Sequence, residues 1–411
     1  MTQSFTIYNI KGLMMSTIRT LVLSGGGGRG AFHAGVYRYL SQNHKPGVSA
    51  RHQGAWKPDI VVGTSIGAVN GAAIVQGIEA DDLLGFWRSL RERDIQGLPP
   101  SMTPFTRMII NQLMKSMIGV SLPVVGAGEA TSQKPATSWP IPGLGKLGAA
   151  WLGRWANLLD TGPLRRTITG RLGLDEAKIS ASPATLLINA TNVSTGQRVT
   201  FSNRTVTRRG TQEPRQDVLP GITIQRILAS CSIPLIYPWT FDELSQGMYW
   251  DGAVVANTPL GVSLDAANEY PTEDRMEVIV VLMTPWRDDQ PADPRNGQQL
   301  PQDFSEAITW VLDWALLASF RERLDLIHAY NKLGRIGRRI NDPELSAIRE
   351  VRVVIVAPDD FFPASRIIDY DERTSLLIES GAKAAKKAFE DHFPAGETEE
   401  SEFEDEGRVK L

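Results

Sequence analysis

The chain has 411 residues, of which 42% are hydrophobic and 22% charged, and its net charge is −3. A chain of this composition can bury a large core, while the lack of a basic excess excludes a broad nucleic-acid-binding surface. The single cysteine, Cys231, excludes an intrachain disulfide and a multi-cysteine metal site. We expect no cofactor, no metal and no nucleic-acid partner.

The N-terminal residues and the hydropathy pattern indicate in which cellular compartment the protein occurs. No run of 18 apolar residues occurs, and Lys11 and Arg19 interrupt the only apolar run before the first predicted strand. We therefore expect neither a membrane-spanning helix nor a signal peptide. The sequence predicts a cytoplasmic protein with a dispensable leader at residues 1–17.

Two β-loop-α units open the chain. The first predicted strand, 20–23, runs into the glycine-rich loop 24–30, and a helix pattern follows. The second strand ends at Val62, where Gly63-Thr64-Ser65-Ile66-Gly67 precedes a helix predicted to reach Gln76. A G-x-S-x-G sequence at a strand-to-helix junction is typical of a nucleophile elbow, which exposes the serine hydroxyl at the edge of a sheet.

The segment 97–158 differs in amino-acid composition from the rest of the chain. It is rich in Pro, Gly, Ser and Met, and it contains two apolar stripes repeating every three to four residues. Two interpretations stay open: helices that pack on the core, or an inserted lid that exposes Met and Trp side chains to lipid.

Strands and helices alternate through the remainder. Strands are predicted at 184–192, 198–201, 278–283 and 351–356, and helices at 222–228, 306–332 and 373–392. Beyond Pro394 the chain becomes acidic, which predicts a disordered tail at 394–411. Alternation of this kind favours an α/β fold with a mostly parallel sheet.

A serine nucleophile needs a base and hydrogen-bond donors for the developing oxyanion. The glycine loop and the elbow both follow strands, so they can meet at the carboxyl edge of the sheet. None of the five histidines has a context that favours a catalytic base. Asp251, which precedes Gly252-Ala253 after an aromatic pair, is the better candidate, because burial would make its carboxylate a stronger base.

Four ordered motifs resemble those of the patatin-like phospholipases. They are residues 23–30, the elbow 63–68, Ala229-Ser230-Cys231-Ser232-Ile233-Pro234 and Asp251-Gly252-Ala253. The softer similarities are Asn257-Thr258-Pro259-Leu260 and residues 159–165. The resemblance covers about 20–265, and departs from the family at Gly28, where a larger aliphatic residue is usual, and across 97–158.

The resemblance implies a patatin-like three-layer α/β fold, with a mostly parallel central sheet and helices on both faces. It implies a Ser65–Asp251 dyad, an oxyanion hole at Gly25, Gly26 and Gly27, and Arg29 at the family's basic, substrate-binding position. We expect a catalytic domain at 18–268, a C-terminal α/β part at 269–393 that packs on it, and a lipid or membrane-surface substrate reached by peripheral contact.

The expected function is hydrolysis of fatty-acyl esters of phospholipids, lysophospholipids or glycerides. Two alternatives remain at this stage. The spacing Gly25-x-Gly27-x-x-Gly30 after a strand also fits a nucleotide-binding loop, although no acidic residue closes a second strand about 20 positions later. A catalytically idle lipid-binding module is the other alternative, and the presence of both Ser65 and Asp251 argues against it.

Overall fold

A computed structural model describes residues 16–43, 56–95, 97, 159–271, 275–287, 300–301, 304–362, 370 and 374–392. The predictions for the leader before residue 16, for the segment 98–158 and for the acidic tail lie outside the described residues. Thr17, the last residue of the predicted leader, already belongs to the first strand.

One nine-stranded sheet organises the described chain. Its main path runs in the order β5-β4-β3-β2-β1-β8-β9, and β7 joins it at β3 and carries β6. The strands are β1 Thr17–Leu23, β2 Ile60–Thr64, β3 Thr185–Asn192, β4 Arg198–Ser202, β5 Val218–Pro220, β6 Thr240–Asp242, β7 Gly247–Asp251, β8 Arg275–Val281 and β9 Val351–Val356.

The central strands are parallel. In β1, Leu23 lies beside Gly63 of β2 on one side and Val281 of β8 on the other, so all three strands end at one edge. Strands covered on both faces read as continuous apolar runs, and Val278 to Val281 of β8 form such a run, all of them buried. The segments after β1, β2 and β8 therefore meet at this carboxyl edge.

Helices flank the sheet. They are α1 Ala31–Asn43, α2 Ile66–Gln76, α3 Ala80–Ser89, α4 Glu92–Ile95, α5 Gly162–Gly170, α6 Glu176–Ala181, α7 Ile224–Ser230, α8 Leu260–Ala266, α9 Phe304–Ile340, α10 Pro343–Ser346 and α11 Thr374–His392. None of the described helices has an apolar stretch long enough to cross a bilayer.

Two apolar cores lie on opposite faces of the sheet. Leu21 and Leu23 of β1 pack into the core formed with α1, α2, α3 and α11. Ile18 and Val22, which point the other way, pack into the core formed with α8 and α9. The expected mostly parallel α/β sheet with helices on both faces is thus confirmed.

Strand β3 has two different neighbours along one edge. Its first part pairs with β2 in parallel, up to Asn189 opposite Thr64. Its last part pairs with β7 in the antiparallel direction, beginning with Ala190 opposite Asp251. Strand β7 therefore occupies the space beyond the end of β2, and the residue that follows Thr64 lies close to Asp251.

The C-terminal elements complete the same sheet. Strand β8 pairs with β1 along its whole length, from Thr17 opposite Arg275, and β9 pairs with β8. Helix α9 extends at both ends beyond the predicted 306–332, and β8 begins three residues before the predicted 278 and ends at Val281. Gly97 and Asp160 exchange backbone hydrogen bonds of 3.2 and 2.8 Å, so the predicted insertion leaves and rejoins the fold at adjacent positions.

Candidate active site

Ser65 lies in a strained turn between β2 and α2. Its φ of 57° and ψ of −127° are a conformation that L residues rarely adopt, and the residue is 4% exposed. The flanking glycines allow the turn, because a Cβ on Gly63 would collide with Ala68 and one on Gly67 would collide with the carbonyl oxygen of Leu23. The predicted elbow is present at this junction.

Two hydrogen bonds hold the backbone at Ser65, and its side chain lies beside a carboxylate. The Ser65 N–H donates to Ser230 Oγ at 2.8 Å, and the Ser230 hydroxyl in turn donates to the carbonyl oxygen of Asn189 at 2.6 Å. A side-chain interaction with Ser65 lowers the pKa of Asp251, which places the serine hydroxyl beside this carboxylate. The backbone of the elbow is thus held by α7 and β3, while its side chain points to the carboxylate.

Asp251 is a buried carboxylate with few partners. It is 2% exposed, and its Oδ1 accepts a 2.8 Å hydrogen bond from the N–H of Ala253. Burial raises the pKa of Asp251 to about 7, while the hydrogen bonds from Ser65 and Ala253 act in the opposite direction. A carboxylate with such a pKa is a far better proton acceptor than an exposed one.

The turn after Asp251 is fixed by Asn189. Its Nδ2 donates to the carbonyl oxygens of Gly252, at 3.1 Å, and Ala256, at 2.6 Å. A Cβ on Gly252 would collide with both the backbone and the side chain of Asn189. Glycine is therefore required after Asp251 by this close approach, which explains the Asp251-Gly252 pair seen in the sequence.

The glycine loop passes directly beside the elbow. A Cβ on Gly25 would lie 2.6 Å from Asn257 Oδ1 and 3.0 Å from Ser65 Cβ, so glycine suits this close approach. The N–H of Gly25 donates to Asn257 Oδ1 at 2.7 Å. Because this N–H is already paired, it differs from the oxyanion-hole donor that was predicted at Gly25. For the N–H groups of Gly26 and Gly27, no acceptor is found within the described part of the chain.

Arg29 has partners other than the predicted substrate. Its guanidinium is buried and forms an ion pair of 3.3 Å with Asp313 of α9. The same side chain donates to the carbonyl oxygens of Gly26 and Met283, each at 3.3 Å. With 2% exposure, Arg29 connects the glycine loop to α9 instead of facing a bound molecule.

Neither of the two histidines with described side chains, His33 and His328, bonds Ser65. His33 is buried in α1, where its Nδ1 lies 3.2 Å from Asn70 Nδ2, and burial lowers its pKa to about 3. His328 is exposed on α9. His44 and His52, and the side chain of His392, lie outside the described residues.

Sequence reasoning left three residues of the site without a role. Ser230 and Asn257 lay inside motifs that the resemblance had singled out, and the structure gives them hydrogen bonds to Ser65 and Gly25. Asn189 had a weaker signal, a polar residue near the carboxyl end of a buried strand, which is where ligand-facing residues of α/β sheets occur. Within the described ranges, no group of three His, Cys, Asp or Glu residues could hold a metal ion.

The part of the sequence that carries this site matches a known protein family. The description of the matching family is Patatin-like phospholipase, and the match spans residues 21–264, more than half of the chain. No curated protein matches the chain. VipD from Legionella pneumophila is similar in structure, with a TM-score of 0.41 and 12% identity over 92% of this chain and 68% of that one.

Two structures of ExoU are also similar. The ExoU–SpcU complex from the type III secretion system of Pseudomonas aeruginosa has a TM-score of 0.32 and 13% identity, and the type III effector ExoU has 0.29 and 10%. Both alignments cover 92% of this chain but only 52% and 54% of those chains. By the family match over residues 21–264, this chain belongs to the patatin-like phospholipases, a family of lipid ester hydrolases.

Proposed function

We propose that this protein hydrolyses fatty-acyl esters of phospholipids, lysophospholipids or glycerides, with Ser65 as nucleophile and Asp251 as base. One observation carries the proposal: in its strained turn, the side chain of Ser65 interacts with the buried carboxylate of Asp251, whose pKa is raised to about 7. A nucleophile within hydrogen-bond reach of a base of matched pKa is the arrangement that acyl transfer requires.

The reaction proceeds in two halves. Asp251 accepts the hydroxyl proton as Ser65 Oγ attacks the ester carbonyl carbon, and it returns that proton to the departing alcohol oxygen. The serine then carries the acyl group as an ester. Water, deprotonated by Asp251, attacks this ester, and the proton returns to Ser65 Oγ as the fatty acid leaves. Each half passes through a tetrahedral oxyanion.

The N–H groups of Gly26 and Gly27 are the proposed donors to that oxyanion. They belong to the loop that packs against Ser65 through Gly25, and no acceptor within the described residues occupies them. The loop conformation suits this role, since Gly27 has a φ of 57° and the Gly25 N–H is tied back to Asn257. Backbone donors held in place before the reaction need no reorganisation during it.

The nucleotide-binding alternative gains no support from the site. Ribose recognition in such folds needs an acidic residue at the end of the second strand. Here β2 ends at Thr64, and the elbow follows at once. The basic side chain in the glycine loop, Arg29, is buried against Asp313 and faces no space in which a phosphate could lie.

A lipid surface is the proposed source of substrate, because the strand that carries Asp251 presents an apolar face. In the β6–β7 hairpin, the side chains that point inward are polar or hydrogen-bonded and buried, Asp251 among them. Opposite each other on the outer face lie Phe241 and Met248, which are 40% and 44% exposed. Hairpins usually place such residues inward.

Neighbouring residues enlarge this face. Leu244 in the hairpin turn is 67% exposed and Trp239 is 45% exposed. Leu235, 80% exposed, has a φ of 69°. Arg165 supplies a cation nearby, because it bonds Gln225, whose Nε2 donates to the carbonyl oxygen of Phe241. Trp and Leu beside Arg suit the interface of an anionic phospholipid membrane. We call Trp239, Phe241, Leu244 and Met248 the apolar hairpin face.

Labelling by a fluorophosphonate tests the reaction class. The full chain should be labelled and should release fatty acid from phospholipid vesicles, whereas Ser65→Ala should lose both activities while remaining folded by circular dichroism. Ser263→Ala, a buried serine of α8, serves as the matched control and should keep the label. Retained labelling in Ser65→Ala would refute the assignment of the nucleophile.

A further inference from the structure

A buried ion pair joins the glycine loop to a helix outside the matched family segment. Arg29 belongs to the loop, whereas Asp313 lies in α9, beyond the match at 21–264. Both side chains are almost fully buried, at 2% and 4% exposure. Such a pair is costly to bury and is weak evidence for stability alone, so its placement beside the glycine loop calls for another explanation.

The guanidinium bonds α9, the segment just after β8 and the glycine loop itself. Its Nη1 is 3.3 Å from both carboxylate oxygens of Asp313 and from the carbonyl oxygen of Met283, just after β8. Its Nε donates to the carbonyl oxygen of Gly26 at 3.3 Å. The peptide plane that carries this oxygen also carries the N–H of Gly27. The position of Arg29 therefore sets the direction of a proposed oxyanion donor.

Asp313 is in turn held in place. Burial raises the pKa of Asp313, while Arg29 and a side-chain interaction with Thr284 lower it. On the loop side, a Cβ on Gly26 would lie 2.8 Å from Met283 Cγ, so the loop packs closely against the segment after β8. The chain of contacts from α9 to the Gly26–Gly27 peptide is continuous.

We propose that Asp313 is a positioning residue, which sets the orientation of the Gly26–Gly27 peptide through Arg29 and thereby makes the C-terminal helix part of the catalytic apparatus. This inference rests on the proposed function. It predicts that removing the charge of Asp313 slows attack by Ser65 and leaves substrate binding unchanged, because the oxyanion is stabilised in the transition state and not in the bound ester.

The test compares Asp313→Asn with Glu350→Gln in the full chain. The side chain of Glu350 forms ion pairs with Arg335, at 3.1 Å, and with Arg338, at 3.7 Å, both near the C-terminal end of α9. We expect Asp313→Asn to lower kcat and the rate of fluorophosphonate labelling about tenfold or more with KM unchanged, and Glu350→Gln to change neither. Unchanged kcat and labelling in a folded Asp313→Asn variant would overturn the proposal.

A second variant separates positioning from folding. Replacing a buried ion pair by apolar residues often leaves stability unchanged or improved, so Arg29→Met combined with Asp313→Leu should unfold at a temperature close to the parent protein. The same double variant should remain slow in kcat and labelling. Parental rates in this variant would refute the positioning role. If the parent protein itself is not labelled, the proposed function fails first, so the two failures are distinguishable.

Discussion

The amide of Ser65 donates a 2.8 Å hydrogen bond to the hydroxyl of Ser230, at the end of helix α7. The Ser230 hydroxyl has a second bond, to the carbonyl oxygen of Asn189, so α7 connects the elbow to β3. Ser230 thus supports the strained turn through its side chain.

Ser230→Ala should therefore leave the buried N–H of Ser65 without a partner. We expect a loss of about 1–3 kcal/mol in unfolding free energy, the usual cost of an unpaired buried donor, together with a lower kcat. Ser232→Ala is the matched control, because Ser232 Oγ bonds Leu228 and Thr240 but not the elbow. Urea unfolding and ester hydrolysis measure both effects, and equal kcat values in the two variants would contradict this role.

The strained backbone of Ser65 should lower the unfolding free energy of the protein. Glycine adopts a φ of 57° without steric cost, whereas alanine keeps the Cβ that causes the strain. Ser65→Gly and Ser65→Ala should both be inactive, and the glycine variant should be more stable by about 1 kcal/mol. Urea unfolding of the two variants makes the comparison. An alanine variant as stable as the glycine variant would mean that the turn carries no strain.

The raised pKa of Asp251 predicts the pH dependence of activity. The base must be ionised, so kcat/KM should rise with pH through a limb near pH 7. Asp251→Asn keeps the shape of the side chain but cannot accept the proton, and it should lower kcat by about 10²- to 10⁴-fold. A limb far below pH 7, or a small effect of Asp251→Asn, would argue against this carboxylate as base.

Stability should depend on pH with the opposite sign. The folded protein keeps the proton on Asp251 up to about pH 7, while the unfolded chain loses it near the ordinary value of 3.8. Between these pH values the folded state binds more protons, so the unfolding free energy falls as pH rises. Asp251→Asn should flatten this part of the curve, as measured by urea unfolding from pH 4 to pH 8.

A histidine base would also titrate near pH 7, so substitutions must exclude it. His33 stays neutral over this range, with a pKa lowered to about 3 by burial, and its described side-chain hydrogen bond is to Asn70. His33→Gln and His328→Ala should each keep most of the parental kcat in assays of ester hydrolysis. A histidine variant as slow as Asp251→Asn, in a protein that remains folded, would indicate a triad.

The apolar hairpin face should contribute to binding of lipid vesicles but not to hydrolysis of the ester bond. Phe241→Ser combined with Leu244→Ser should weaken binding to anionic phospholipid vesicles by about tenfold, or ~1.4 kcal/mol, in sedimentation assays. Hydrolysis of a short soluble ester should be unchanged. Leu376→Ser, which alters a 62% exposed leucine of α11, is the control. Equal losses in vesicle binding and in ester hydrolysis, with a lower unfolding temperature, would mean that the face packs against another part of this chain.

Local signals in the sequence determined the elbow and the class of fold. A turn such as 63–67 depends on residues that are adjacent in the chain, because the glycines and the serine must meet their steric requirements within a few peptide units. Hydrophobic periodicity likewise depends on near neighbours, so the longer strands and helices could be predicted, although boundaries such as those of α9 shifted. The short strands β5, β6 and β7 were not predicted, because three to five residues carry too little periodicity.

The pairing of functional groups was decided by the tertiary structure. Asp251 reaches Ser65 because β3 changes neighbours between Asn189 and Ala190, a register that no local pattern encodes. The partner of Arg29 lies 284 residues away, so its burial against Asp313 could not be inferred from its place in the glycine loop. Hydrogen bonds and ion pairs need contact in space, and long-range contact follows from how the sheet and helices pack together.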